Sequence, residues 1–184
     1  MAGSDAVVER LFIAVPLTEQ ARSKIADGLP PLPGRLVSSY NWHFTLRFLG
    51  NTAAPLRDAL IGSLRDARLG KKFSIRFGGL GAFPRAKRAR IIWLGLTAGV
   101  RELTSLADAV EAAARRAGFP KETRPFKPHL TLSRIEPPHG VTDILAAQAA
   151  LDVAMPVTEV ALVRSSLGSG PAKYEVIHGF PLEG

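Results

Sequence analysis

The alternation of apolar and polar residues divides the chain into short strands and helices. An apolar block, Arg10–Leu17, contains a closing proline and predicts a buried strand. We expect a helix after it, with Thr18 as the N-cap and Ala21 and Ile25 on the buried face. The proline-rich segment Leu29–Gly34 predicts a turn that ends this helix.

The next part of the chain continues this alternation. NWHFTLRFLG, residues 41–50, predicts a strand that stops at Gly50 and Asn51. Leucines at helical spacing predict a second helix from near residue 54 to before residue 70. KFSIRFGGL then alternates apolar and polar residues and predicts a half-buried strand, followed by GAFPRAKRAR as a loop.

The same order of elements then recurs. Residues 89–96 predict an apolar strand, and apolar positions from Val100 to Ala117 predict a long amphipathic helix. KPHLTLSRIE, residues 127–136, predicts a second strand with a His-x-Thr tripeptide. A weaker helix over residues 143–151, capped by Thr142, and two closing strands, PVTEVALVRSSL and AKYEVIHGF, complete the series.

The recurrence is one of architecture, since the two copies share almost no residues outside the His-x-Thr tripeptide. Short loops between several neighbouring strands favour antiparallel pairing. We expect an α+β, bilobal fold, with two pseudo-symmetric lobes that each have a largely antiparallel sheet and flanking helices, and an active cleft between them. The 184 residues suffice for one domain with a substantial core, so we expect a single domain over residues 1–184.

Composition narrows the classes of function. The absence of cysteine excludes disulfides, thiolate metal sites and a cysteine nucleophile. Asp5 and Glu9 precede the first apolar run, which is too short for a membrane span and lacks the basic flank of a signal peptide, so we expect a cytoplasmic protein. The formal net charge of +8 favours a polyanionic partner. The basic segment PRAKRAR is either a solvated loop or a rim that contacts a nucleic-acid backbone.

The two His-x-Thr strands carry the candidate chemistry. Side chains two residues apart on a strand share a face, which pairs His43 with Thr45 and His129 with Thr131. Two imidazoles on opposite sides of a substrate can divide general base and general acid catalysis, while the hydroxyls bind non-bridging oxygens. This pattern predicts a phosphodiester reaction without a metal.

Other sites are less favoured by the residues. A single His in an apolar strand is often structural, but two at equivalent places favour catalysis. Zinc would need more ligands than two histidines, and no G-x-S-x-G segment supports a serine hydrolase. We expect His139 to be solvated and His178 to be structural, on one strand face with Tyr174 and Val176.

The motifs HFTLRFLG and PHLTLSR, with GAFP between them and LVRSSL…Y near the end, resemble those of the 2H phosphoesterases, most closely the RNA 2′,3′-cyclic phosphodiesterases of the 2′-5′ RNA ligase family. The resemblance implies hydrolysis of a 2′,3′-cyclic phosphate end to a 2′-phosphomonoester, with no cofactor and no metal. It implies that His43 is the proton donor and His129 the proton acceptor. It also implies that Thr45 and Thr131 bind the phosphate.

The same resemblance assigns a phosphate contact to Arg134. Strict alternation from His129 turns Arg134 to the opposite face, so this assignment requires the strand to end or bulge after Leu132. Alternation also places Phe48 on the core side, although its ring could stack on a terminal base. For both Phe48 and Trp42 we expect a core position.

The implied partner is RNA with a 2′,3′-cyclic phosphate end, bound by a monomer that does not contact a membrane. Its backbone would be attracted by basic residues at the cleft rim, namely Arg85, Lys87, Arg88, Arg124 and Lys127. No aromatic RNA-recognition pattern or KH loop indicates sequence-specific binding. Three alternatives remain open: a phosphodiesterase for a small cyclic nucleotide or for ADP-ribose cyclic phosphate, RNA ligation in the reverse direction, and a non-catalytic module that binds RNA ends.

Overall fold

A computed structural model describes residues 8–148, 151–166, 168, 170 and 172–184. The α+β class and the largely antiparallel pairing are confirmed. The strands are β1 (Val8–Pro16), β2 (Arg35–Leu36), β3 (His43–Ala53), β4 (Phe73–Phe83), β5 (Ala89–Ala98), β6 (Leu130–His139), β7 (Ala154–Val157), β8 (Glu159–Ser166) and β9 (Lys173–Pro181). The helices are α1 (Glu19–Gly28), α2 (Ala54–Arg65), α3 (Val100–Arg116) and α4 (Thr142–Ala147), with 3₁₀ turns at Ser39–Asn41 and Ala86–Arg88.

Within the described residues, all the strands belong to one sheet in the order β7-β4-β5-β6-β3-β1-β8-β9, and β2 pairs with β6. Each half of this sheet contains one His-x-Thr strand, and the halves meet where Phe44 of β3 pairs with Leu130 of β6. Separate sheets in two lobes are therefore not observed. The two halves of the sheet do not correspond to the two halves of the chain. β4 comes early in the chain but lies beside β5, whereas β8 and β9 come late in the chain but extend the half of the sheet that contains β1.

The helices cover one face of the central strands. The predicted cap of α1 is confirmed, since the Thr18 hydroxyl accepts a hydrogen bond from the Ala21 amide. Leu103 and Val110 of α3 belong to the same buried cluster as Phe44 and Leu130. Because neighbouring residues on a strand point to opposite faces, this packing leaves His43 and the residues near it on the uncovered face.

Some predicted boundaries are wrong. Strand β3 does not stop at Gly50 and Asn51, because pairing with β1 continues to Ala53. The first residues of GAFPRAKRAR belong to β4, where they pair with β5, and are not a loop. Thr142 is the first residue of α4, and Val141 is its N-cap.

The chain end also differs in detail from the prediction. The segment PVTEVALVRSSL forms β7 and β8, which are interrupted at Thr158. Helix α4 ends at Ala147 rather than at residue 151. Residues 149, 150 and 167, which fall in the predicted helix and strand, lie outside the described residues.

The turn before β2 provides a test of the fold. Gly34 has a φ of 84°, and a Cβ there would overlap the carbonyl oxygen of Arg134. We expect Gly34→Ala to lower the free energy of unfolding by about 1–3 kcal/mol through backbone strain, measured by denaturant unfolding. Gly62→Ala is the control: Gly62 lies in α2 with no atom near its Cβ position, so alanine should raise stability by about 0.5–1 kcal/mol. Equal effects would contradict this account.

Candidate active site

A β-bulge interrupts the second His-x-Thr strand directly after the tripeptide. Thr131 of β6 pairs with Trp93 of β5, but the next pair along β5 is Ile92 with Ser133. Leu132 is therefore an extra residue on β6. An extra residue reverses which side chains face each side of a sheet, so every position beyond it changes face.

The first strand has a bulge at the equivalent place. Thr45 of β3 pairs with Ala14, whereas the next pair along β1 is Ile13 with Arg47, so that Leu46 is the extra residue. In both strands, the residue five positions after the histidine consequently turns to the face that carries the histidine and the threonine. These residues are Phe48 in β3 and Arg134 in β6.

All four residues of the two tripeptides line one cleft of about 750 Å³, together with Arg134 and Phe48. The two sides come from different halves of the sheet, since β3 supplies one pair and the start of β6 the other. Other residues that line the cleft include Arg10, Phe12, Arg35, Asn41, Ile91, Arg124 and Tyr174. The structure thus brings together all five residues that the sequence predicted for the site.

The bulges change two expectations made from strict alternation. The condition set for Arg134 is met, because the strand bulges at Leu132 and the arginine lines the cleft. The core position expected for Phe48 is wrong: its side chain is 55% exposed in the cleft. Trp42 is in the core as expected, with its indole N–H donating to the Val37 carbonyl oxygen at 3.1 Å.

His43 is fixed at both ring nitrogens. Its Nδ1 lies 2.7 Å from the carbonyl oxygen of Asn41, which can only accept a hydrogen bond. The neutral ring therefore carries its proton on Nδ1, and Nε2 accepts from the Thr45 hydroxyl at 2.9 Å. Nε2 of His43 therefore points towards the Thr45 hydroxyl.

The backbone orients His129 in the same way. Its Nδ1 lies 2.6 Å from the carbonyl oxygen of Lys127, which is two residues upstream as Asn41 is in the first motif. The ring meets the edge of Phe83, with 5.0 Å between centroids, and lies close to Trp93. In both motifs Nδ1 is held by a backbone carbonyl, so Nε2 is the nitrogen that can exchange protons with a ligand.

The surroundings of the two imidazoles differ. His43 stacks on Phe12 with 4.7 Å between ring centroids, and the ring of Tyr174 meets it edge-on. Burial lowers the pKa of His43 below its ordinary value of 6.5, against the raising effect of the Asn41 carbonyl. The positive charges of His129 and Arg134 lower this pKa further. The neutral imidazole of His43 is therefore favoured in the ligand-free protein.

An ion network that begins at the buried Arg47 supports the cationic rim of the cleft. Arg47, which is 8% exposed, pairs with Glu111 of α3 and with Glu122. Glu122 in turn accepts hydrogen bonds from the guanidinium and backbone N–H of Arg124, and these lower its pKa to about 2. The ionised Glu122 carboxylate holds Arg124 at the cleft.

The predicted rim is only partly correct. Arg124 lines the cleft, but Arg85 and Arg88 line a separate concavity with Arg90. Arg10 and Arg35 line the cleft and were missed, as were Phe12 and Tyr174. No local signal in the sequence marks these four residues, because β1, β2 and β9 reach the cleft only through their pairing in the sheet.

The two remaining histidines lie elsewhere. His139 is exposed as expected, at the end of β6 rather than in a loop. His178 does not share a face with Val176, because a bulge between them reverses the alternation of β9. Its ring instead packs against the buried Phe180. Within the described ranges, no group of three or more histidine or carboxylate side chains is placed to hold a metal ion.

The sequence model of the 2′-5′ RNA ligase superfamily matches residues 16–168 of this chain. The chain belongs to this superfamily. Its similarity to an RNA 2′,3′-cyclic phosphodiesterase of Aquifex aeolicus is 34% identity over 189 residues, covering 96% of this chain and 99% of that protein. A protein of the same description from Aeropyrum pernix is 39% identical over 105 residues, and the match spans 57% of this chain and 59% of that relative's length.

Solved structures also match the fold of this chain. The crystal structure of Escherichia coli LigT complexed with 3′-AMP has a TM-score of 0.76 at 31% identity, covering 96% of this chain and 99% of that one. The resemblance inferred from the two motifs is therefore confirmed. None of the helices in the described ranges has the length and hydropathy of a membrane span.

The environment of His43 predicts its titration. We expect a pKa below 6.5 by NMR, which rises in Arg134→Gln because a nearby positive charge is lost. Arg124→Gln is the matched control, since Arg124 lines the same cleft but its charge is paired with Glu122. A pKa above 6.5 in the native protein, or equal shifts in both variants, would contradict this electrostatic account.

Proposed function

We propose that this protein hydrolyses the 2′,3′-cyclic phosphodiester at RNA ends to a 2′-phosphomonoester, without a metal. The observation that carries the proposal is the cleft itself, in which one His–Thr pair from each half of the sheet lines the same space as Arg134. Such a site offers two proton-transfer groups and three donors for phosphate oxygens, which is the full set that this reaction needs.

The chemistry divides between the two imidazoles. Nε2 of His129 takes a proton from water as the water oxygen attacks phosphorus. The bond between phosphorus and O3′ breaks, and Nε2 of His43 gives its proton to the departing O3′. The phosphate remains on O2′. Both rings are suited to these steps because a backbone carbonyl holds Nδ1–H, so that protons are exchanged at Nε2.

His43 must be protonated to act as the acid, although burial lowers its pKa in the ligand-free protein. A cyclic phosphate diester carries a negative charge, and a nearby anion favours the imidazolium form. Substrate binding therefore raises the pKa of His43 and protonates it where the proton is needed. Arg134 and the two threonine hydroxyls bind the non-bridging oxygens, on which negative charge develops.

The relatives support the choice of substrate. The Aquifex aeolicus protein, which is similar over nearly its whole length, is described as an RNA 2′,3′-cyclic phosphodiesterase. Arg10, Arg35 and Arg124 around the cleft supply positive charge that would attract an RNA backbone. Because one chain supplies both imidazoles, we further propose that a single-domain monomer is active, and that it works in the cytoplasm.

Removal of either imidazole tests the mechanism. We expect His43→Ala and His129→Ala each to lower hydrolysis of a short RNA with a 2′,3′-cyclic phosphate end by about 10²–10⁴-fold, because each removes one proton-transfer group. Native protein should retain its rate in EDTA. The measurement is the formation of 2′-phosphate ends, resolved by chromatography.

His139→Ala is the matched control for these variants, because His139 is exposed and lies outside the cleft. It should keep the native rate. Full activity in either His43→Ala or His129→Ala would exclude the paired-imidazole mechanism. Loss of turnover in EDTA would indicate a metal-dependent reaction instead.

The hydroxyl groups can be removed while both imidazoles are kept, although Thr45→Val also removes the hydrogen bond to Nε2 of His43. Thr45→Val and Thr131→Val keep the side-chain shape but remove a donor to the phosphate, and we expect each to lower kcat by roughly 10²-fold. Thr104→Val on α3 is the control, because its hydroxyl donates to a carbonyl of its own helix. A change in KM alone would mean that the hydroxyls bind substrate and transition state equally.

A further inference from the structure

Asn41 makes a side-chain contact that the mechanism above does not use. Its backbone carbonyl holds Nδ1 of His43, but its side chain reaches a different part of the chain. The Nδ2 amide of Asn41 donates a hydrogen bond to the carbonyl oxygen of Ala172 at 2.9 Å. This oxygen can only accept, so the amide nitrogen is the donor at the contact. One residue therefore joins His43 to a segment that lies 131 residues further along the chain.

The position of Asn41 is fixed by its own turn. It is the last residue of the 3₁₀ turn Ser39–Asn41, and its backbone N–H donates to the Ser38 carbonyl oxygen at 2.8 Å. The next residue, Trp42, is buried in the core. Because the turn is anchored in the core, the amide of Asn41 can hold Ala172 in place.

The segment that Asn41 holds leads directly to an aromatic ring beside His43. Ala172 lies immediately before β9, and Tyr174 follows two residues later. The Tyr174 ring meets the His43 imidazole edge-on, with 5.4 Å between ring centroids, and meets Phe12 edge-on at 5.1 Å. Phe12 in turn stacks on His43. Two aromatic rings thus pack against the imidazole, and one of them belongs to the segment that Asn41 holds.

Comparison with the second motif shows why such a contact is needed only at His43. The rings beside His129 are those of Phe83 and Trp93, which belong to β4 and β5. Each of these two strands is paired on both sides within the sheet. Among the described residues, β9 is an edge strand that pairs only with β8, and this pairing begins at Lys173. The end of an edge strand opens readily because it has few contacts, so Tyr174 needs a further support.

The structure assigns to Asn41 the role of a positioning residue for the general acid of the proposed function, on which this inference rests. Its carbonyl fixes the orientation of the His43 imidazole, and its side-chain amide fixes the strand end that brings Tyr174 against this imidazole. Because one residue makes both contacts, the imidazole and the tyrosine ring keep one relative position. Asn41 transfers no proton and acts through these two rings.

The contact has a consequence for the proton affinity of His43. Burial is the main cause that lowers the pKa of His43, and the Tyr174 ring contributes to this burial. The cations and the other histidine that line the cleft make no hydrogen bond with Asn41; they are Arg10, Arg35, Arg124, His129 and Arg134. Loss of the Asn41 amide therefore changes the burial of His43 and leaves the charges around it in place.

The test removes the side-chain amide and keeps the backbone carbonyl. Asn41→Ala deletes the amide, and Asn41→Leu replaces it with an apolar side chain of similar size. We expect each to lower kcat for a short RNA with a 2′,3′-cyclic phosphate end by roughly 10- to 10²-fold through misplacement of the general acid, with little change in KM. Asn51→Ala is the matched control and should keep the native kcat. Asn51 is the other asparagine of the chain and lines the same cleft.

A double variant tests whether Asn41 acts through Tyr174. Asn41→Ala/Tyr174→Ala should have the same kcat as Tyr174→Ala alone, because the amide then has no ring to position. Multiplication of the two single losses would show that Asn41 acts independently of Tyr174, and would overturn the proposal.

NMR titration of His43 in the ligand-free protein gives a readout that needs no turnover. We expect the pKa of His43 to rise towards 6.5 in Asn41→Ala and in Tyr174→Ala, because each change exposes the imidazole to water. The double variant should show no further rise. Asn51→Ala should keep the native pKa.

Three further results would overturn the proposal. A native kcat in both Asn41→Ala and Asn41→Leu would show that the amide does not position the acid. A raised KM with a native kcat would make Asn41 a substrate contact instead. A native His43 pKa in both variants would show that the amide does not hold the tyrosine ring. Failure of the proposed function is distinguishable, because the native protein would then not hydrolyse the cyclic phosphate, whereas the titrations of His43 would still report on Asn41.

Discussion

The cleft depends on one extra residue in each His-x-Thr strand. In a strict strand, the residue five positions after the histidine faces away from it, and these bulges turn it back. Leu46 and Leu132 are the inserted residues, and they lie at the same place in the two motifs. Each strand is regular up to the threonine and has one extra residue after it. It can therefore present three functional side chains on one face and still bury its apolar side chains on the other.

The same displacement makes the two halves of the site unequal. Five residues after the histidine, β3 presents Phe48 and β6 presents Arg134, so this position is aromatic in one motif and cationic in the other. Phe12 and Tyr174 extend the aromatic side around His43 and lower its pKa through burial. Two motifs with the same local geometry thus place their imidazoles in different surroundings, and the surroundings of His43 favour the neutral ring.

The bulge in β3 also places a cation under the rim of the cleft. Arg47 turns to the helix side, where Glu111 and Glu122 neutralise it. A buried arginine needs such partners because the desolvation of an unpaired charge is costly. Because Glu122 also binds Arg124, the buried Arg47 helps to hold the Arg124 guanidinium at the cleft.

The sequence by itself determined the order of elements, the α+β class and both His–Thr pairs, because these follow from local periodicity and from residue types at short spacing. The resemblance of its motifs to those of known proteins indicated the superfamily. Only the tertiary structure decided the faces of Phe48, Arg134 and His178, since a bulge depends on the partner strand and leaves no mark in the alternation of one strand. It also decided that β1 and β9 bring Phe12 and Tyr174 to His43. These residues are distant in sequence, and strand pairing alone makes them neighbours.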